Sequence, residues 1–273
     1  MREPNLSKRP CVLAIGGLDP GGGAGLAADL RAIAATGAFG CPVATLVTIQ
    51  STAGLRAIHV LPASWVVRQA EEVRAVQRVR AIKIGALGSA ANVRHVAAWL
   101  EGPAAGIPVV LDPVMVPTRG RPGLLVPSAV AAVRDLLLPR ATLVTANAPE
   151  AEALTGEPVT TVSEARDAAR RLVRLGAHAA LVKGGHLGAE RVVVDILASR
   201  RAPTELRAPR TTGDVLHGGG CVLASLIAGH VANRRGALTE RGLIEAVRSA
   251  HRLHQRARHE AVDVGGPMRV LVP

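Results

Sequence analysis

Residues 11–36 read CVLAIGGLDPGGGAGLAADLRAIAAT. The first five, 11–15, have the length and the apolar, β-branched character of a buried strand. Residues 16–25 hold six glycines in ten. Residues 26–36 then repeat apolar side chains at helical spacing and stop before Gly37. Strand, glycine-rich turn and helix in that order begin a βα unit, and the rest of the chain repeats the alternation. Further strands are expected at 43–49, 81–84, 109–112, 142–145, 179–183 and 192–197. Helices are expected at 62–76, 90–100, 127–137 and 163–175, the last opened by Thr161 and Glu164 at capping-box spacing and stopped by Gly176. A βαβα order throughout predicts a three-layer α/β/α fold, doubly wound around a mostly parallel sheet. After residue 197 the pattern changes to a short strand at 205–208, an apolar helix at 220–231 and a charged helix at 239–259. With no Pro-, Gly- or Ser-rich linker and no internal repeat, residues 1–273 read as a single domain with a flexible N-terminus at 1–10.

Composition excludes several classes. Hydrophobic residues make up 48% and charged residues 20%, which is a globular balance. The core must be aliphatic, because Phe39, Trp65 and Trp99 are the only Phe or Trp side chains and there is no Tyr. No apolar run approaches the roughly 20 residues that span a bilayer, and the polar residues 1–10 precede no leader, so a soluble cytoplasmic protein with no membrane partner is expected. The three cysteines, Cys11, Cys41 and Cys221, lack CxxC spacing, which points to neither a disulfide framework nor a zinc site. The formal charge of +12 and pI near 11.3 raise nucleic acid as a partner. Yet the longest unbroken basic run is two residues and stacking rings are scarce, so no nucleic acid is expected. Of 33 basic residues only three are lysine: Lys8, Lys83 and Lys183.

In an open α/β sheet ligands bind at the carboxyl ends of the strands, and five clusters fall there. Gly16 to Gly25 lets the backbone approach a ligand, with Asp29 one turn into the following helix; a plain glycine turn is the alternative, and no GKS or GKT makes it a P-loop. Gln50, Ser51 and Thr52 end the second strand with hydrogen-bonding side chains and say little alone. Asp112, followed by Pro113, either holds a hydrated cation or organises a turn. Asn147 and Glu150 flank Pro149 at a helix start, where the acid either complements the helix dipole or, with Asn147, holds waters around magnesium. Lys183, before Gly184 and Gly185, is the strand-end cation. The fifth cluster, His217-Gly218-Gly219-Gly220-Cys221, opens an apolar helix, where consecutive N–H groups make an anion hole. Cys221 in its first turn has a pKa that the dipole should lower, and reads as nucleophile, general base or small buried side chain.

Taken together, Gly17 to Gly25 with Asp29, Lys83-Ile84-Gly85, Asp112 to Met115, Asn147 to Glu150, Lys183 to His186 and His217 to Cys221 resemble the hydroxymethylpyrimidine and phosphomethylpyrimidine kinases of thiamine biosynthesis, within the ribokinase-like fold. The resemblance implies magnesium-dependent transfer of the ATP γ-phosphoryl group to an aminopyrimidine hydroxymethyl and then to its monophosphate. It implies that Gly17, Ala24, Asp29, Gln50 and Val114 hold the pyrimidine, and that Gly218, Gly219 and Gly220 form the anion hole. Cys221 would be the base, and Lys183, with Asn147 and His217, would attend the nucleotide. Asp112 and Glu150 would hold Mg2+ through water, and the protein would be a homodimer. Ser is usual where Gly21 stands, Met at Ala86 and Thr at Gly219; Val215 and Leu216 replace a polar pair, and 116–120 lacks a Lys-Ser type pair. These departures remove polar groups from the nucleotide side. A pyridoxal-type kinase and a pyrimidine-binding regulator without turnover are therefore the alternative functions.

Overall fold

The computed structural model describes residues 9–117, 119–120, 123–125, 127–188, 191–210 and 216–273. The expected flexible N-terminus falls mainly on 1–8, and Val215 and Thr118 fall in the other gaps, so these lie outside the described residues. In chain order the elements are β1 (Cys11–Leu18), α1 (Gly25–Ala35), β2 (Phe39–Ser51), β3 (Gly54–Val60), α2 (Ala63–Val76), β4 (Val79–Ile84), α3 (Ala90–Glu101) and β5 (Val109–Leu111). There follow α4 (Pro127–Ala132), β6 (Leu143–Asn147), α5 (Ala148–Thr155), α6 (Val162–Arg174), β7 (Ala180–Lys183), β8 (Val192–Ala198) and β9 (Thr204–Pro209). The chain ends with β10 (Leu216–His217), α7 (Gly219–Ala232), α8 (Glu240–His259) and β11 (Arg269–Val270).

Nine strands form one sheet in the order β3-β2-β1-β4-β5-β6-β7-β8-β9. The six from β2 to β7 in that order run parallel. The expected βαβα order fails at both edges. β2 turns straight back into β3 as an antiparallel hairpin, and at the other edge β8 runs antiparallel to β7 and β9 antiparallel to β8. A tight turn at Ser51–Gly54 and a short Ser199–Pro203 connection leave no room for a crossover helix.

β1 shows why the sheet needs helices on both faces. Cys11, Leu13 and Ile15 alternate with Val12 and Ala14, and the two sets join different hydrophobic clusters. A strand buried on both faces reads as a continuous apolar run, the mark of a covered parallel sheet. α2 to α6 cover the first face; α1, α7 and α8 cover the second. α7 is buried along most of its length, including Ala224, Ala228 and Gly229, so small side chains let it lie against the sheet. The capping box foreseen at Thr161 and Glu164 forms at the start of α6. The chain moves outward from β1 in both directions, so the β1/β4 boundary is the switch point and the strand ends beside it are the natural cleft.

Candidate active site

β1 delivers the chain into the glycine loop, and Asp19 folds it. Its Oδ1 accepts the Gly21 N–H and its Oδ2 the Ala24 N–H, both at 2.9 Å. Asp19 Oδ2 also lies 2.8 Å from Nε2 of His217, which is 2% exposed. Burial alone would raise the Asp19 pKa, but His217 and the two backbone donors outweigh it and hold it low. The contact spans 198 positions in sequence and ties the glycine loop to the start of α7. The packing there tolerates no side chain: a Cβ on Gly218, at φ +76°, would fall 2.0 Å from the Gly23 carbonyl oxygen. Gln50 at the end of β2 reaches the same ring, with its Nε2 3.2 Å from His217 Nε2.

Gly218 is the left-handed cap of α7, and the first intrahelical bond of the turn runs from Val222 N–H to Gly218 O at 3.0 Å. The N–H groups of Gly219, Gly220 and Cys221 therefore lack helical partners and converge at the helix start. Lys183 sits across from them: a Cβ on Gly220 would meet Lys183 Nζ at 3.1 Å and Asp112 Oδ1 at 3.7 Å. Lys183 Nζ is 3.1 Å from Asp112 Oδ1 and 3.7 Å from Glu150 Oε2. Burial would lower the Lys183 pKa, but the two carboxylates raise it, so the ammonium stays charged. Burial likewise would raise Asp112, and Lys183 followed by Lys83 outweighs it. Glu150 goes the other way: burial, with Asp112 adding to it, pushes its pKa to about 7 against the pull of Lys183. Asn147 and Glu150 close a capping box on α5, with Glu150 Oε2 accepting Asn147 N–H at 2.8 Å and Asn147 Oδ1 accepting Glu150 N–H at 2.9 Å.

Under the cleft floor lies a buried pair. Lys83 Nζ donates to both oxygens of Asp29 at 2.9 Å, and Ser225 Oγ donates to Asp29 Oδ1 at 2.8 Å. Asp29 is fully buried, with both oxygens engaged, so it acts from beneath the cleft. Burial would lower the Lys83 pKa, yet Asp29, then Cys221 and Asp112, raise it.

Cys221 requires a correction. The dipole of α7 was expected to favour a thiolate, but burial pushes the thiol up to about 12, against the pull of Lys83. The rise from an ordinary value of 9.0 is worth roughly 4 kcal/mol, more than the ~2 kcal/mol that a helix terminus supplies at best. The group is a thiol at neutral pH.

Every site residue expected from the sequence, from Gly17 and Ala24 on the glycine loop to Cys221 on α7, lines one cleft of about 130 Å³. A second cavity of about 350 Å³ adjoins it and shares Asn147, Lys183, Gly219 and Gly220. Its far wall includes His186, Leu223 and His254. Asp19, Ser225, His254 and Thr145, whose Oγ1 donates to Asp112 Oδ1 at 3.3 Å, went unforeseen as site residues. Asp19 stood inside the quoted glycine run; the other three carried no local signal. Asp112 Oδ2 is buried without a hydrogen-bond partner, and among the described residues no group of three His, Cys, Asp or Glu could cage a metal. One free carboxylate oxygen beside Glu150 suits a cation that keeps most of its water.

The sequence profile described as phosphomethylpyrimidine kinase matches residues 19–270. The chain belongs to this family. It is 40% identical over 222 residues to the hydroxymethylpyrimidine/phosphomethylpyrimidine kinase of Escherichia coli K12, covering 81% of this chain and 82% of that one. It is 42% identical over 224 residues to the thiamine biosynthesis bifunctional protein ThiED of Geobacter sulfurreducens, covering 82% of this chain and 45% of that longer relative. The chain thus spans under half the length of the bifunctional protein and about four fifths of the E. coli kinase. Among solved structures, phosphomethylpyrimidine kinase from Clostridium difficile 630 superposes with TM-score 0.78 at 31% identity, over 92% of this chain and all of that one. Pyridoxal kinase from Staphylococcus aureus with AMP-PCP and pyridoxal gives TM-score 0.85 at 25% identity, over 96% and 93%. The ribokinase-like, three-layer architecture is common to them. Among the described residues no helix is long and apolar enough to cross a membrane.

Proposed function

We propose that this chain is a hydroxymethylpyrimidine/phosphomethylpyrimidine kinase, moving the γ-phosphoryl of ATP to a pyrimidine hydroxymethyl oxygen and then to the resulting monophosphate. The observation that carries this reading is that two adjoining cavities share Lys183, Gly219 and Gly220 as their common wall. Acceptor and donor can then lie on either side of one set of N–H groups and one ammonium. The smaller cleft, with the Gln50 amide offering a donor and an acceptor beside Val114 and the loop backbone at Gly17 and Ala24, takes the aminopyrimidine. The larger takes the nucleotide, next to Asn147 and Lys183. His217, expected at the nucleotide, belongs on this reading to the pyrimidine side, because its ring bonds Asp19 on the glycine loop and sits beside Gln50.

In the reaction the hydroxymethyl oxygen bonds phosphorus as the bond from phosphorus to the ADP oxygen breaks, and the hydroxyl proton passes to an oxygen of the transferred phosphoryl group or to water. Charge grows on the transferring oxygens, where the N–H groups of Gly219 and Gly220 and the Lys183 ammonium stand ready. Magnesium, when bound, neutralises phosphate charge, and Asp112 and Glu150 would hold it through water. Lys183 stays protonated throughout, anchored by Asp112. For Cys221 to accept the hydroxyl proton it must first lose its own, which from a pKa of about 12 costs about 7 kcal/mol at pH 7. Phosphoryl transfer with a loose transition state asks little of a base, so alignment carries most of the rate. The homodimer and the cytoplasmic location are proposed on the family resemblance alone; sedimentation and cell fractionation test them.

The direct test is purified protein with ATP, magnesium and either hydroxymethylpyrimidine or pyridoxal, following ADP and the phosphorylated product. Turnover of the pyrimidine to its monophosphate and diphosphate is expected. Phosphorylation of pyridoxal alone would overturn the reading, and pyrimidine binding without ADP release would make the chain a regulator.

A further inference from the structure

Behind the glycine run, α8 carries His251 and His254 one turn apart on its buried face. His254 Nε2 lies 3.0 Å from the Gly219 carbonyl oxygen, and its Nδ1 is buried without a partner. Burial drives its pKa down to about 3, so the ring is neutral at physiological pH. A neutral ring facing a carbonyl oxygen carries its proton on the near nitrogen, so Nε2–H donates to Gly219 O. That carbonyl shares a planar trans peptide with the Gly220 N–H, and the two point in opposite directions. Pinning the oxygen from behind therefore aims the N–H forward into the cleft. Gly219 has no side chain of its own to restrain it, and a Cβ there would already lie 3.8 Å from His254 Nε2, so the imidazole stands where a residue-219 side chain would extend.

The same helix braces the opposite wall. His251 Nε2 is 3.6 Å from Asp195 Oδ2, and Asp195 Oδ1 accepts the Gly184 N–H, next to Lys183, at 2.8 Å. From these contacts we infer that His254 is a positioning residue for phosphoryl transfer, holding the Gly219–Gly220 peptide so that its N–H meets the transferring phosphoryl group. The inference rests on the kinase reading of the glycine run; His254 also stands on the far wall of the cavity given to the nucleotide, so KM for ATP is read beside kcat, and a change confined to KM for ATP would overturn the positioning role.

The test uses the full chain with ATP, magnesium and hydroxymethylpyrimidine. Absence of wild-type turnover defeats the kinase reading and is seen before any variant is made. Given wild-type turnover, His254→Ala is expected to lower kcat about tenfold or more while KM for the pyrimidine stays within about twofold, since an oxyanion donor acts mainly in the transition state. His254→Gln keeps an N–H at nearly the same reach and should recover most of the rate, as should added imidazole with His254→Ala. His254→Leu fills the space without a donor and should stay slow at an unchanged melting temperature. Equal rates for the Gln and Leu variants, or a wild-type kcat for the Ala variant, would show that His254 only packs.

Discussion

Cys221 gives the sharpest test of how burial and helix dipole compete. Its thiol is pushed to about 12, so at pH 7 only about one molecule in 10⁵ carries a thiolate there. If that thiolate is the base, kcat/KM rises about tenfold per pH unit from pH 7 to pH 10, with no plateau. Cys221→Ala then loses about 10²–10⁴-fold in kcat at pH 9, with pyrimidine affinity within a few fold. Ionisation itself can be followed apart from turnover. The chain has no Tyr, so ultraviolet absorbance from thiolate is free of tyrosinate up to high pH. Cys11 and Cys41 are buried, and for Cys41 burial raises the pKa to about 12 as well, so a variant lacking both isolates the Cys221 signal. A thiolate appearing below pH 8 would refute the claim that desolvation wins over the dipole. A flat rate profile together with full activity of Cys221→Ala would remove the thiol from the chemistry and leave alignment by Gly219, Gly220 and Lys183 to carry it.

Three further outcomes follow from the geometry. Glu150 has a folded pKa of about 7 against an ordinary 4.5, so the folded state holds the proton more tightly. This contribution to stability is complete below about pH 4.5 and is lost as pH rises through 7; Glu150→Gln should flatten that dependence and add up to about 3 kcal/mol at pH 8, read by denaturant unfolding at both pH values. Lys83→Met strands the buried Asp29 charge and should cost about 3–5 kcal/mol, whereas Lys83→Met with Asp29→Leu should regain most of it; equal losses would mean that packing rather than charge holds the pair. Gly23→Ala places a Cβ 2.1 Å from His217 Cδ2, so the ring must leave Asp19; stability should fall by about 1–3 kcal/mol and KM for the pyrimidine rise, and an unchanged KM would detach His217 from substrate binding.

Much of this molecule is legible in one dimension because its core is aliphatic and its strands are covered on both faces. The run 11–15 could only be a doubly buried strand, and the residues that follow each such strand had to face the cleft. What sequence hid were contacts closed by the fold. β3 was missed because Gly54 opens a short run, GLRAIHV, in which Arg56 breaks one face and His59 the other. Lys83 sat in the apolar strand VRAIKI, a signal that some carboxylate must meet it, but nothing in the sequence named Asp29, 54 positions away. His217 looked like part of a phosphate loop until Asp19 claimed its ring. His254 lay among the five arginines of a charged helix, and only the packing of α8 on α7 showed which face was buried.

The formal charge of +12 likewise changes meaning once the cations are located. Among the described residues the inner cleft is lined by Lys83 and Lys183 and by no arginine, although arginine supplies ten of every eleven basic residues. Arginine spreads charge over a rigid fork that pairs with a carboxylate on two bonds, whereas an ammonium is a compact point charge with three donors. Lys183 uses that shape. It leans on Asp112 at 3.1 Å and on Glu150 at 3.7 Å from one side, so a donor remains for a phosphate arriving from the other. A guanidinium in that place would close bidentately on Asp112 and turn away from the anion hole. Lys83 uses it differently, packing a single charge beneath Cys221 where a planar fork would not fit between Asp29 and the Gly85 backbone, whose added Cβ would fall 2.7 Å from Nζ. Most of the net charge belongs to the surface, with Arg258 on the wall of the larger cavity, and the inner cleft relies on two compact ammonium groups.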